Sequence, residues 1–134
     1  MMRTVFADTA YFVALLSKPD EFHRWATEHF DGADDRIITT TLVFIELANR
    51  LAKTRGRGLV KSFLEDLGLD PRVEVVPFDQ ALVEDGFDLY DARRDKEWSL
   101  VDCTSFAIMQ ERRITEALTP DHHFEQAGFL ALMK

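Results

Sequence analysis

Four separated carboxylates are the side chains of this sequence best suited to chemistry. Asp8, Asp102 and Asp121 each stand beside a predicted strand end or helix start. Glu46 lies within a predicted helix, on the apolar stripe of Val43, where a carboxylate is unfavourable without a positive neighbour. Oxygen ligands suit Mg²⁺ or Mn²⁺, and two such ions about 4 Å apart can activate a water and stabilise the leaving oxygen in phosphodiester hydrolysis. We therefore expect these four acids to hold divalent metal ions.

Each of the four acids also has a purely structural explanation. Asp8 could end a strand or cap the following helix, and Asp121 could hold an Asx turn. Asp102 stands three residues after a serine, which is the spacing of a capping box. Glu46 could pair with Arg50 one helical turn later. Local spacing alone therefore supports a site only weakly, and Glu46 is the acid that a structural role explains least.

The elements that must position these acids alternate along the chain. The predicted strands cover residues 3–7, 36–39, 73–76, 117–119 and 129–132. The predicted helices cover residues 11–16, 21–30, 42–53, the stretch from a turn at 55–58 to residue 67, 80–94 and 100–112, and residues 121–128 form a polar turn. This alternation predicts a parallel sheet covered on both faces by helices, with the ligand crevice beyond the carboxyl ends of the strands.

Length and composition indicate one compact domain over residues 1–134, because 46% hydrophobic residues can form a sizeable core. The single cysteine, Cys103, excludes an intramolecular disulfide and a cysteine zinc cluster, and we expect a buried thiol there. Without a secretion signal or a membrane-length apolar run, we expect a soluble cytoplasmic protein. The net charge of -8 argues against a nucleic-acid partner. Bound divalent ions would neutralise about four charges, however, so the net charge does not exclude such a partner.

Histidines and basic clusters are the remaining polar candidates. We expect His122 and His123 to lie in a turn or on the surface rather than to take part in catalysis, and His23 and His29 to be exposed on a helix. The basic residues form one group of Arg50, Lys53, Arg55, Arg57 and Lys61 and a second group of Arg93, Arg94 and Lys96. Such groups could guide an RNA backbone to the acids, or they could be solvated helix ends.

Longer stretches around the acids carry a family resemblance. They are residues 5–9 (VFADT), 41–46 (TLVFIE), 98–106 (WSLVDCTSF) and 117–129 (ALTPDHHFEQAGF). In order and spacing they resemble the PIN-domain ribonucleases, particularly the VapC-like toxins of type II toxin–antitoxin systems, and the resemblance covers nearly the whole chain. The family's acidic quartet falls on Asp8, Glu46, Asp102 and Asp121.

The resemblance implies an α/β fold, with a three-layer α/β/α sandwich around a mostly parallel sheet of about four to five strands. It also implies Mg²⁺ or Mn²⁺ dependence, endonucleolytic cleavage of structured RNA such as transfer RNA, and inhibition by a cognate antitoxin. We further expect the chain to form a homodimer.

The sequence departs from the common family pattern at Ala10, where many relatives carry Ser or Asn. Thr9 and Thr104 still offer hydroxyls near the first and third acids, and we give them supporting roles, although a threonine beside a helix start commonly caps it. The departure leaves two functions open. One is a metal-dependent ribonuclease, and the other is a catalytically weak PIN-like module that binds RNA or a protein partner without cleavage.

Three other classes of protein are excluded by missing residues. A haloacid-dehalogenase-type phosphatase needs a second acid two residues after the first, where this chain has Ala10. A receiver domain needs an acidic pair near the first strand end and a lysine after a late strand, and neither is present. A P-loop needs a glycine-rich segment ending in Lys and Ser or Thr, which this sequence lacks.

Overall fold

A computed structural model describes residues 2–134, and within them the chain forms five strands and seven helices. The strands are β1 (Thr4–Ala7), β2 (Arg36–Thr40), β3 (Val73–Val76), β4 (Glu116–Leu118) and β5 (Leu130–Ala131). The helices are α1 (Thr9–Leu16), α2 (His23–Gly32), α3 (Thr41–Leu51), α4 (Arg57–Leu69), α5 (Gln80–Ala92), α6 (Leu100–Arg112) and α7 (His122–Gln126).

The sheet has the strand order β3-β2-β1-β4-β5, and every pair of neighbouring strands is parallel. From β1 the chain builds outward through β2 to β3, and it then returns to the other side of β1 to add β4 and β5. The strand order therefore reverses between β1 and β4. In parallel α/β sheets, ligands bind beyond the carboxyl ends of the strands at such a reversal. The crevice expected from the sequence thus lies after β1 and β4.

The central strand is buried on both faces, as expected when helices cover a parallel sheet. In β1, Val5, Phe6 and Ala7 are completely buried. The rings of Phe106 in α6 and Phe124 in α7 meet edge to face with centroids 4.9 Å apart, and the Phe6 ring lies 6.5 Å from Phe124. This aromatic cluster places α6, α7 and β1 around one core, so the elements that carry three of the acids are fixed relative to one another.

Helices α5 and α6 approach each other closely at Gly86. A Cβ atom added to Gly86 would lie 2.5 Å from Thr104 Cγ2 and 3.3 Å from the Thr104 backbone nitrogen. A side chain at this position would therefore require Thr104 or the backbone of α6 to move.

The sequence-based prediction differs most from the structure at residues 121–128. This predicted polar turn contains the helix α7, whose N-cap is Asp121 and whose Phe124 is fully buried. Five helical residues make too few turns to show helical periodicity in a sequence. The turn predicted at residues 55–58 is also shorter than expected, because α4 already begins at Arg57.

Two further observations bear on the expectations from composition. No helix within residues 2–134 is long and apolar enough to cross a bilayer. Cys103 is buried in α6 as expected, and burial raises the pKa of its thiol.

Candidate active site

Asp8 is a buried carboxylate at the carboxyl end of β1, where it is 5% exposed. Its pKa is raised to about 7, first by burial and then by the negative charge of Asp102, with a smaller contribution from Glu46. The Thr9 N–H and the Thr119 hydroxyl partly oppose this shift. The structure therefore brings the acids of β1, α3 and α6 within electrostatic reach of one another.

Asp102 is both a helix cap and a member of this cluster. The Ser99 N–H donates to Asp102 Oδ2 at 3.1 Å, and the Asp102 N–H donates to Ser99 Oγ at 3.0 Å, which completes the capping box. Burial raises the pKa of Asp102, the Ser99 N–H opposes this, and the charge of Asp121 raises the pKa again. The structural and the functional interpretations of Asp102 are therefore compatible.

Thr119 is a candidate site residue that the sequence analysis missed. Its side chain is completely buried, and its hydroxyl donates to Asp8 Oδ2 at 3.0 Å. Thr119 Oγ1 also accepts the Asp121 N–H at 3.1 Å. Thr119 thus connects the carboxylate that follows β1 to the turn that follows β4. A threonine two residues before an aspartate has the spacing of an ST turn, and this was the available signal in the sequence.

His123 lies between two of the acids, so the expectation that it occupies a turn or the surface is wrong. Its side chain is 20% exposed, and its Nδ1 lies 3.2 Å from Asp102 Oδ2 and 3.6 Å from Asp121 Oδ2. The Asp121 Oδ1 accepts the His123 N–H at 2.9 Å, which caps α7. His122 is exposed, with its Nδ1 3.6 Å from Asp121 Oδ1. The short helix α7 therefore supplies two imidazoles beside the acids.

Glu46 is half-buried on α3, close enough to raise the pKa of Asp8. The proposed structural partner does not reach it, because Arg50 is exposed and forms no ion pair with Glu46. More generally, no Lys or Arg within residues 2–134 forms an ion pair with any of the four acids. The charge of the cluster is therefore not balanced by any Lys or Arg of the described residues.

The two threonines expected to support the site have different environments. Thr9 is buried beside Asp8, and its hydroxyl has no hydrogen-bond partner among the described residues. The Thr104 hydroxyl instead donates to the Val101 carbonyl at 2.7 Å, and its methyl group faces Gly86. This geometry favours a packing role for Thr104, whereas a supporting role for Thr9 stays a prediction.

The expectation that His23 and His29 are exposed is wrong for both. His29 is 10% exposed at its side chain, with Nε2 2.9 Å from Asp35 Oδ2 and Nδ1 2.9 Å from the Tyr11 hydroxyl. His23 is half-buried, and its Nδ1 lies 2.7 Å from the Ala14 carbonyl oxygen. Both rings face inward because α2 packs against α1, which periodicity within one helix does not reveal.

The donor set fits a hard divalent cation. Carboxylate oxygens are the preferred protein ligands of Mg²⁺ and Mn²⁺. The raised pKa of Asp8 and the unpartnered Thr9 hydroxyl beside it mark a buried polar site that lacks a positive group. A parallel sheet with uncompensated carboxylates beyond β1 and β4 defines an α/β protein with a candidate cation-binding edge.

Comparison with known proteins specifies the family within this class. The PIN domain model matches residues 5–130, and the chain therefore belongs to the PIN-domain family, among its VapC-like members. Over 127 residues the chain is 31% identical to the 23S rRNA-specific endonuclease VapC20 of Mycobacterium tuberculosis. This alignment covers 94% of this chain and 95% of VapC20.

Solved structures agree with this assignment. The crystal structure of Mycobacterium tuberculosis VapC20, a Sarcin-Ricin loop cleaving toxin, matches with a TM-score of 0.86 and 25% identity over 97% of this chain and 99% of that chain. VapBC2 from Rickettsia felis, solved bound to a promoter DNA fragment, shares the fold with a TM-score of 0.63 and 17% identity over 96% of each chain. The α/β/α fold implied by the resemblance is confirmed, with a sheet that is entirely parallel over the described residues.

Proposed function

We propose that this chain is a single-domain Mg²⁺- or Mn²⁺-dependent endoribonuclease and the toxin of a toxin–antitoxin pair. The observation that carries the proposal is the gathering of Asp8, Glu46, Asp102 and Asp121 at the strand-order reversal without a compensating Lys or Arg. The similarity to VapC20, which is named as an endonuclease specific for 23S rRNA, supports RNA as the substrate.

The four acids are proposed to hold one or two divalent ions, which supply an activated water and stabilise the leaving oxygen. Asp8 is held in place by burial and by a hydrogen bond that the Thr119 hydroxyl donates to it. Asp102 and Asp121 are oriented by their capping hydrogen bonds to Ser99 and His123. Helix termini and a strand end thus orient three of the proposed ligands, and Glu46 is carried by the middle of α3.

The basic residues that lack acidic partners suggest a path for the RNA backbone. The α3–α4 basic group consists of Arg50, Lys53, Arg55, Arg57 and Lys61, which are all exposed and form no ion pairs within residues 2–134. The second group is neutralised locally, because Arg93 and Lys96 lie beside Asp95 and Arg94 pairs with Asp91. We therefore assign RNA binding to the α3–α4 basic group, which follows the helix that carries Glu46.

Salt dependence tests this assignment. Replacing Arg55 and Lys61 together by Gln is expected to weaken RNA binding and to reduce the slope of log K against log salt by about 0.7 per lost phosphate contact. The matched double variant Arg93→Gln with Arg94→Gln should leave the slope unchanged. Equal slopes for wild type and both double variants would contradict the assignment.

The proposed substrate is a structured RNA, with 23S ribosomal RNA as the first choice because of VapC20 and transfer RNA as the second. We also propose that a cognate antitoxin binds this chain and that the chain forms a homodimer. Light scattering tests the assembly, since a mass of one chain at micromolar concentration would contradict a homodimer.

A cleavage assay tests the function as a whole. Purified protein with Mn²⁺ should cleave 23S ribosomal RNA at defined positions, and a chelator should stop the reaction. Asp8→Asn and Asp102→Asn should abolish cleavage while remaining folded, and Asp85→Asn, an exposed acid on α5, should cleave like wild type. Binding of RNA without cleavage by wild type would favour the alternative of a non-cleaving PIN-like module.

A further inference from the structure

We propose that Asp121, His122 and His123 form a Zn²⁺ site of their own at the rim of the carboxylate cluster. One ligand atom from each of these residues lies within 4.8 Å of the others. His122 Nδ1 is 3.6 Å from Asp121 Oδ1, and His123 Nδ1 is 3.6 Å from Asp121 Oδ2. The site would select its metal by nitrogen ligands, which the acid quartet does not contain.

The three donors can reach a tetrahedral ion after a small rotation of their side chains. Zn²⁺ binds imidazole nitrogen and carboxylate oxygen at about 2.0–2.1 Å, so neighbouring donors of a tetrahedron lie about 3.3–3.4 Å apart. Asp121 Oδ1 lies 3.6 Å from His122 Nδ1 and Asp121 Oδ2 lies 3.6 Å from His123 Nδ1, and one donor atom of each residue lies within 4.8 Å of the others. Asp102 Oδ2 lies 3.2 Å from His123 Nδ1 but accepts the Ser99 N–H and is not part of this group. The site therefore offers two nitrogens and one carboxylate, and water would complete the tetrahedron.

The surroundings hold these donors in place and keep them accessible. Phe124, the next residue of α7, is completely buried in the aromatic cluster, which anchors the helix. His122 is 71% exposed at its side chain, so an ion can enter from solvent. Imidazole is a good ligand for Zn²⁺ and a poor one for Mg²⁺, so the two kinds of metal would choose different donors of the same rim.

Sharing of Asp121 has a functional consequence that rests on the proposed nuclease activity. A Zn²⁺ ion held by the imidazoles would draw the Asp121 carboxylate away from the acid quartet. Zn²⁺ would then inhibit RNA cleavage supported by Mn²⁺, and the inhibition would depend on His122, which the quartet does not use.

Calorimetric titration of the protein with ZnCl₂ tests the site without any reference to activity. His122→Gln should weaken Zn²⁺ binding by at least about tenfold, as expected for the loss of a metal ligand, and should leave Mn²⁺ binding unchanged. His123→Gln should also weaken Zn²⁺ binding. The control His23→Gln, on α2, should bind Zn²⁺ like wild type. Unchanged Zn²⁺ affinity in both His122→Gln and His123→Gln, with circular dichroism showing folded proteins, would overturn the proposal.

Cleavage with Mn²⁺ in the presence of increasing Zn²⁺ tests the consequence. Wild type and His23→Gln should be inhibited, and His122→Gln should require at least about tenfold more Zn²⁺ for the same inhibition. Identical inhibition of all three proteins would overturn the coupling between the sites. If wild type shows no nuclease activity, the proposed function fails, and the calorimetric result still decides whether the Zn²⁺ site exists.

Discussion

Asp8→Asn is expected to stabilise the metal-free protein at neutral pH. The pKa of Asp8 is about 7 in the folded chain, compared with an ordinary value of 3.8. The unfolded chain releases this proton near pH 4, whereas the folded chain holds it until about pH 7, so wild-type stability falls as the pH rises through this window. At about 1.36 kcal/mol per pKa unit, the loss reaches roughly 4 kcal/mol above pH 7. Asparagine does not ionise and avoids this loss.

Urea unfolding in the presence of a chelator measures the effect. The free energy of unfolding of Asp8→Asn, relative to wild type, should increase between pH 4 and pH 8 by up to roughly 4 kcal/mol. Asp85→Asn, on the exposed face of α5, is the control and should show no such pH dependence. The reasoning is refuted if the difference between Asp8→Asn and wild type is the same at pH 4 and pH 8.

Three further perturbations test the cluster and its support. Saturating Mn²⁺ at about 100 times its Kd should raise the free energy of unfolding of wild type by about 2.7 kcal/mol, and an unchanged melting temperature would argue against the metal site. Thr119→Val should raise the pKa of Asp8 by about one to two units, as measured by carbon NMR, because a hydrogen bond to the charged form is lost. The control Thr54→Val removes a hydroxyl that donates to the Leu51 carbonyl, between α3 and α4, and should leave that pKa unchanged. Gly86→Ala should destabilise the protein by about 1–3 kcal/mol in urea unfolding, because the new methyl group meets α6. Gly68→Ala, with open space around its Cβ position, should instead be neutral or stabilising by up to about 1 kcal/mol, so equal effects of the two substitutions would contradict the packing argument.

The four acids of the proposed site could be singled out from the sequence because each acid carries a local or family signal. Asp8 directly follows an apolar strand, Asp102 has the spacing of a capping box, and Glu46 interrupts an apolar helical stripe. These signals say that a carboxylate is present at a given element, but they do not say what surrounds it. The burial that raises the pKa of Asp8 comes from neighbouring elements, so no local pattern could predict it.

The residues that sequence reasoning missed make their contacts across long separations. Thr119 donates to Asp8 from 111 positions away, and this contact exists only because β4 pairs directly with β1. His123 approaches Asp102 because α7 packs on the same aromatic cluster as α6. The helix α7 itself is too short to have a detectable period.

The sequence by itself determined the alternation of strands and helices and the parallel sheet, since periodicity and chain punctuation are local properties. It also singled out the four acids of the proposed site. Only the tertiary structure decided the strand order, the burial of Asp8, the position of Thr119 and the placement of two imidazoles at the rim. These depend on which strands become neighbours and which helices share a core. Strand neighbours and helix packing are set when the whole chain packs together. The residues in these buried contacts are far apart in the sequence, so no local pattern shows that they are close in space.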